Sequence, residues 1–267
     1  MKRFGLIGDP IAHSLSPALF RAGYDGKYAY DLIEGNDFEE SFRRFMEDYD
    51  GINVTAPFKE LAFRKAGCLS EECGMIGAAN ILVKTPEGVK AYNSDYLGVR
   101  KWLEEVSAGK KINVLIAGCG GAGKAAAFAS ASLGFRTVLM NRDRSKAEQI
   151  AEKGKDFSHY DFSVRNLEDF RMCMIESDIT IYNIPSPIPA LAELSAGDFA
   201  CGTGRRYILE ANYRNPSFSG RLAAMMEAPG SKTEYTGGRK WLLYQALTGY
   251  EIFTGETPDL DKMSACL

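Results

Sequence analysis

The stretch INVLIAGCGGAGKAAAFASASLG, residues 112–134, constrains the fold more tightly than any other part of this chain. An apolar run, Val114–Ala117, reads as a buried strand. Gly118-x-Gly120-x-x-Gly123 follows, and Gly121–Leu133 is rich enough in alanine to be a helix. A tight turn by itself needs fewer glycines. Three at this spacing permit the turn, the close approach of a pyrophosphate, and the contact of helix with strand. The helix start, Gly121 and Ala122 included, offers free N–H groups and the positive end of a dipole to a phosphate. Gly118, Gly120, Gly121, Ala122 and Gly123 are therefore candidate cofactor-binding residues, and a dinucleotide-binding α/β unit is expected here.

Strand and helix signals alternate along the rest of the chain. Strands are expected at Arg3–Gly8, Tyr28–Ile33, Gly51–Thr55, Ile112–Gly118, Thr137–Asn141, Ile179–Ile184 and Tyr207–Ala211. Helices are expected at Pro17–Tyr24, Asp37–Tyr49, Glu60–Ala66, Gly121–Leu133, Ser145–Lys153 and Gly220–Met226. Such an order argues for parallel sheets covered by helices. Residues 81–93 break the rhythm as a hairpin turning at Pro86-Glu87-Gly88. A helix then runs into a polar joint near Ala108–Lys111, and the last helix, Arg239–Phe253, is expected to pack back on the first half. The prediction is an α/β protein of two domains. Residues 1–108 plus 238–267 form an α/β substrate domain with a mostly parallel sheet, and 109–237 form a Rossmann-type dinucleotide-binding domain.

The 267 residues are 45% hydrophobic and 25% charged, with a net charge of −3. No basic run is present, so nucleic acid and anionic membrane are not expected partners. The opening MKRFGLIGDP has too short an apolar run for a signal peptide, and no segment approaches the roughly 20 apolar residues of a membrane span. A cytoplasmic location is expected. Six cysteines without a Cys-x-x-Cys pair and only two histidines, His13 and His159, argue against a metal site. Catalysis must then rest on other residue types.

The end of the second strand of the nucleotide domain bears on the cofactor. An NAD site usually carries an acidic residue there, bonded to the ribose 2′-hydroxyl. This chain has Asn141, Arg142, Arg144 and Lys146. A planar guanidinium suits a 2′-phosphate, and cations in a helix's first turn oppose its dipole unless an anion lies nearby. NADP is favoured, although Asp143 is placed to serve a 2′-hydroxyl and Arg142 and Arg144 also read as solvated helix-opening charges.

In the first half, four polar stretches follow predicted strands. GDPIAHSLSPAL supplies Ser14 and Ser16, NVTAPFK supplies Thr55 and Lys59, GAANIL supplies Asn80, and YNSDYLG supplies Asn93 and Asp95. Ser16 before Pro17 reads as a helix N-cap, which leaves Ser14 spare. Lys59 reads either as a surface lysine or as a catalytic one at the carboxyl end of a strand, where open α/β sheets bind ligands. Hydroxyl, amide, ammonium and carboxylate groups together suit a small polyhydroxy carboxylate.

With these stretches in hand, the chain resembles the shikimate dehydrogenase family over nearly its whole length. SLSP, NVTAPFK, GAANIL, NSD, GCGGAGKAA and NRDRSK stand in that family's order. The resemblance implies an NADP-dependent reduction of 3-dehydroshikimate to shikimate, a step toward chorismate and the aromatic amino acids, by a monomer or homodimer. It implies that Ser14 and Ser16 hold the substrate carboxylate with Tyr213 near it. It further implies that Thr55, Asn80 and Gln245 contact ring hydroxyls and that Lys59 and Asp95 form the catalytic pair. Asn183 and Gly238 match cofactor positions. The loop YNIPSPIPAL, 182–191, departs from the family's Asn-Thr-Thr-Pro-x-Gly: Asn183 fits, while the threonines and the glycine are missing. A relative using quinate or NAD and a non-catalytic dinucleotide-binding protein of the same fold are the alternative readings.

Overall fold

The computed structural model describes residues 2–202 and 204–267. The chain divides into two compact units, one of Met1–Gly98 with Leu243–Leu267 and the other of Val99–Leu242. Both divisions fall inside helices, Ser94–Ser107 and Gly238–Thr254.

The first unit is built on a six-stranded sheet. Its strands are β1 (Arg3–Gly8), β2 (Ala29–Glu34), β3 (Gly51–Val54), β4 (Cys68–Leu69), β5 (Ile81–Thr85) and β6 (Gly88–Tyr92), in the spatial order β2-β1-β3-β5-β6-β4. β1 pairs in parallel with β2 and β3, and the hairpin β5–β6 enters antiparallel beside β3. The turn is the one expected at 86–88, with Gly88 at φ +123°, a conformation that favours glycine. β1 is buried from Phe4 to Gly8 because both faces are covered. On one face Ile7 joins Ile33, Phe45, Ile52 and Val54 in a core. On the other, Phe4 packs on Phe20 and stacks on Phe253, with ring centroids 5.4 and 5.1 Å away.

The final helix makes that second face. Its inward stripe recurs every four residues. Gln245 lies against Gly98, Gly249 against Ile81 and Ser94, and Phe253 against Gly51. The expected return of the last helix onto the first sheet is thus seen for residues 243–254.

The second unit has six strands, all parallel: β7 (Asn113–Ala117), β8 (Arg136–Met140), β9 (Asp161–Val164), β10 (Ile179–Tyr182), β11 (Arg206–Glu210) and β12 (Thr233–Thr236). Their order is β12-β11-β10-β7-β8-β9. This is the doubly wound arrangement, with its switch point between β7 and β10. β9 and β12 lie outside the strands expected from sequence. They are four-residue edge strands with few apolar residues, DFSV and TEYT, and pairing rather than pattern defines them. β4 is similarly too short, at two residues, to show a period.

Gly98 sits inside a helix, where alanine is intrinsically better by about 1 kcal/mol. A Cβ there would lie 2.6 Å from Gln245 N and 2.9 Å from Gln245 Cα, which are backbone atoms that cannot rotate away. Overpacking of this kind costs roughly 1–3 kcal/mol. Gly98→Ala is therefore expected to lower the denaturant midpoint despite its better propensity. A midpoint at or above wild type would show that the final helix yields.

Candidate active site

Sheet register assembles the polar residues of the first unit. Thr55 N–H bonds Ile7 O at 2.9 Å, Val54 N–H bonds Asn80 O at 2.8 Å, and Asn80 N–H bonds Tyr92 O at 3.1 Å. Because β5 runs antiparallel to β3 and β6, its first residue lies level with the last residues of its neighbours. The stretches bearing Ser14, Lys59, Asn80 and Asp95 therefore leave the sheet along one edge.

Lys59 opens helix Lys59–Lys65, and Asp95 lies in the first turn of helix Ser94–Ser107. Lys59 Nζ donates to Asp95 Oδ2 at 2.5 Å, and their side chains are 29% and 10% exposed. Most ion pairs of this chain have both partners at least 40% exposed, where each contributes little. The Lys59–Asp95 pair is sequestered yet reachable on the lysine side. A helix's first turn also favours an anion such as the Asp95 carboxylate.

The groups around the pair differ in how much hydrogen-bonding capacity they have left. Asn80 Oδ1 accepts Ser94 N–H at 2.7 Å, with Ser94 Oγ at 3.3 Å. That fixes the orientation of the amide, so Nδ2 is the end left to donate. Thr55 turns its methyl toward Gly8, where a Cβ would meet Thr55 Cγ2 at 2.4 Å. Its hydroxyl has no hydrogen-bond partner among the described residues. Gln245, half-buried, keeps its side-chain amide unbonded in the same sense.

The serine turn corrects the sequence reading. Helix Ser16–Gly23 has no side-chain N-cap. Ser14 and Ser16 bond each other instead: Ser14 Oγ accepts Ser16 N–H at 3.2 Å, and its own O–H donates to Ser16 Oγ, 3.1 Å away. Two residues that the sequence did not single out hold this turn. Glu34 accepts Ile11 N–H at 2.8 Å, and Tyr250 donates its hydroxyl to Ser16 O at 3.0 Å. No local signal marks either, since each lies far along the chain from the turn it serves.

In the second unit the glycines sort into two kinds. A Cβ on Gly123 would fall 1.7 Å from Gly118 O, and Gly118 itself has φ +98°, so the turn demands both. A Cβ on Gly120 or Gly121 would meet nothing within 4 Å. The fold does not require glycine at those two positions, and the open space beside them fits the pyrophosphate of a dinucleotide. No side chain caps helix Gly121–Ser132, so its first N–H groups suit an anion. Asn183, just after β10, has both side-chain amide atoms buried without a partner among the described residues. A Cβ on Gly118 would come within 2.9 Å of its carbonyl carbon.

The charged cluster after β8 is less uniform than its sequence. Asn141 is committed, accepting Cys119 N–H at 2.9 Å and donating to Asp143 O at 2.8 Å. Asp143 caps the next helix through Ser145 N–H at 3.2 Å and Ser145 Oγ at 2.6 Å. The Ser145 hydroxyl, aided by the Lys146 charge, holds its carboxyl below the usual range. Arg144, expected to face the cofactor, is spent on Glu148 at 2.8 Å and Asn166 at 2.6 Å. Arg142 is exposed and makes no hydrogen bond or ion pair among the described residues, and Lys146 is exposed beside Asp143. Gly238 admits no side chain because a Cβ would lie 2.3 Å from Ala211 O. Tyr213 lies in this unit on the loop after β11, where Arg214 covers its ring with the guanidinium carbon 5.7 Å from the centroid.

Comparison with known proteins finds relatives in sequence and in fold. A family profile described as the shikimate dehydrogenase substrate binding domain matches residues 6–82. The shikimate dehydrogenase (NADP(+)) of Haloarcula marismortui is 31% identical over all of this chain and 98% of its own length. The shikimate 5-dehydrogenase of Thermus thermophilus, solved with NADP(H) and shikimate, is 26% identical with a TM-score of 0.79 over 100% of this chain and 98% of that one. A quinate dehydrogenase from Corynebacterium glutamicum solved with NAD has a TM-score of 0.83 over 99% and 98% of the two chains, at 22% identity, and that likeness is one of fold.

The hydrogen-bond assignments separate structural groups from spare ones. Asn80→Ala leaves Ser94 N–H buried and unpaired, which costs roughly 1–3 kcal/mol. Thr55→Val removes a hydroxyl with no protein partner and is expected to change stability by less than about 0.5 kcal/mol. Equilibrium denaturation of the two variants checks this contrast, and equal losses would contradict the assignment.

Proposed function

This chain belongs to the shikimate dehydrogenase family, and from that premise we propose how its own residues carry the NADP-dependent reduction of 3-dehydroshikimate to shikimate and its reverse. The observation that carries the reading is the sequestered Lys59–Asp95 pair, joined at 2.5 Å. When bound, the cofactor supplies the hydride chemistry. Lys59 delivers the proton that the carbonyl oxygen takes up on reduction, and receives the hydroxyl proton on oxidation. Asp95 holds the ammonium in place and shares the proton.

Most of the groups that hold substrate have spare capacity, and Ser14 turns its O–H from Ser16 to the substrate. The Ser14 and Ser16 hydroxyls bind its carboxylate, and Asn80 Nδ2, the Thr55 hydroxyl and the Gln245 amide meet its ring hydroxyls. For the cofactor, Arg142 and Lys146 pair the 2′-phosphate, and the turn at Gly118–Gly123 receives the pyrophosphate. Arg144 is withdrawn from that set because Glu148 and Asn166 occupy it. Asp143, the residue that would favour NAD, is occupied as a helix cap. The six free cysteines support a cytoplasmic location, where thiols stay reduced.

Lys59→Ala and Asp95→Ala are expected to lower kcat by about 10²–10⁴-fold with much smaller changes in KM. Because the two act as a unit, the double variant should lose far less than the product of the single losses. Steady-state assays with shikimate and NADP on folded variants decide this. A wild-type kcat for Lys59→Ala would reduce the lysine to a solvated charge.

The cofactor assignment has its own test. Arg142→Ala should raise the KM for NADP about tenfold or more and leave that for NAD nearly unchanged. Arg144→Ala should leave both within about twofold. Equal losses for the two cofactors in Arg142→Ala would remove the 2′-phosphate role.

A further inference from the structure

Glu72 is a buried carboxylate for which the chemistry above has no use. It lies in helix Glu71–Ile76 with 9% of its surface exposed, and no cation pairs with it among the described residues. Burying such a group is costly unless its hydrogen bonds are worth having. Here a single oxygen, Oε1, accepts both of them. Ser70 Oγ donates at 2.5 Å and Asn93 N–H at 3.3 Å.

Asn93 is the residue that leads into helix Ser94–Ser107. Its Oδ1 accepts Tyr96 N–H at 3.2 Å, closing the first turn, and its Nδ2 donates to Ala78 O at 3.0 Å. Ser94 N–H is taken by Asn80. Side chains therefore hold the amides of residues 93, 94 and 96, and Asp95 stands among them. A helical first turn moves as one piece, so a shift at Asn93 is passed to the Asp95 carboxylate two residues later. The Lys59–Asp95 contact, at 2.5 Å, leaves little slack for such a shift, and small misplacements of reacting groups are expensive in rate.

We propose that Glu72 is a positioning residue, anchoring the Asn93 amide so that Asp95 meets Lys59. The inference rests on the catalytic reading of that pair. It requires an acceptor oxygen at the place of Oε1 and does not require a charge. Packing alone would be indifferent to which oxygen is offered and at what reach.

Three variants separate these possibilities, assayed with shikimate and NADP alongside thermal melts. Glu72→Gln keeps an oxygen at the same reach and should hold kcat within about twofold. Glu72→Asp keeps the charge but is one methylene short of Asn93 N–H. It should lower kcat about tenfold while the KM for shikimate stays within about twofold. In an Asp95→Ala background, Glu72→Asp should cost nothing further. A folded Glu72→Asp with wild-type kcat overturns the proposal, and so does a tenfold loss that persists without Asp95. A wild-type rate for Asp95→Ala alone removes the catalytic premise and this role with it, and that result is read separately from the Glu72 variants.

Discussion

The substrate-side arrangement depends on the register with which the hairpin β5–β6 lies beside β3. The bonds from Val54 N–H to Asn80 O and from Asn80 N–H to Tyr92 O make one row of three chain segments. Lys59 and Asp95 are 36 residues apart, yet each opens a helix a few residues beyond that row. A slip of one residue would turn every side chain of the hairpin to the opposite face. It would exchange Ile81, now against the final helix at Gly249, with Leu82, now in the core with Ile52 and Val54, and neither side chain fits the other's place. The packing that fixes the register thus also brings Lys59 and Asp95 together.

The second unit solves a different problem, the close approach of a charged ligand to backbone. Gly118 and Gly123 are required by the turn, whereas Gly120 and Gly121 face open space. The first two would be glycine in any protein that folds this way. The other two make sense through what the helix start is shaped to receive. Asn183 adds an amide with both ends unpartnered at the switch point between β7 and β10, where doubly wound sheets bind their ligands.

Both units divide their polar side chains between structure and chemistry, and the division follows from hydrogen-bond capacity. An acceptor oxygen already used by a buried N–H has at most one lone pair left for a substrate, and an arginine held by a carboxylate and an amide must give up those bonds to meet a phosphate. By that criterion Ser14, Asn141, Asp143 and Arg144 are partly or wholly spent, while Thr55, Gln245 and Arg142 are not. Asn80 belongs to both classes, one end of its amide capping a helix and the other left to donate. Such sharing explains why a compact site can carry few groups without a task.

The amino-acid sequence by itself determined most of the longer strands and helices, the glycine turn and the polar stretches, because those rest on short-range causes: apolar periodicity, the conformational needs of glycine and proline, and the spacing of a phosphate-binding turn. It also held the motifs by which the family was legible. It did not reveal β4, β9 or β12, which are too short or too polar to show a period and exist through their neighbours. Nor did it show that Arg144 faces Glu148 and Asn166, that Ser14 and Ser16 bond each other, or that Glu72, Glu34 and Tyr250 support turns distant in sequence. Those facts were decided only in the tertiary structure, because which partner satisfies a polar group depends on what lies within about 3 Å of it after the chain has folded, and no local pattern encodes that distance.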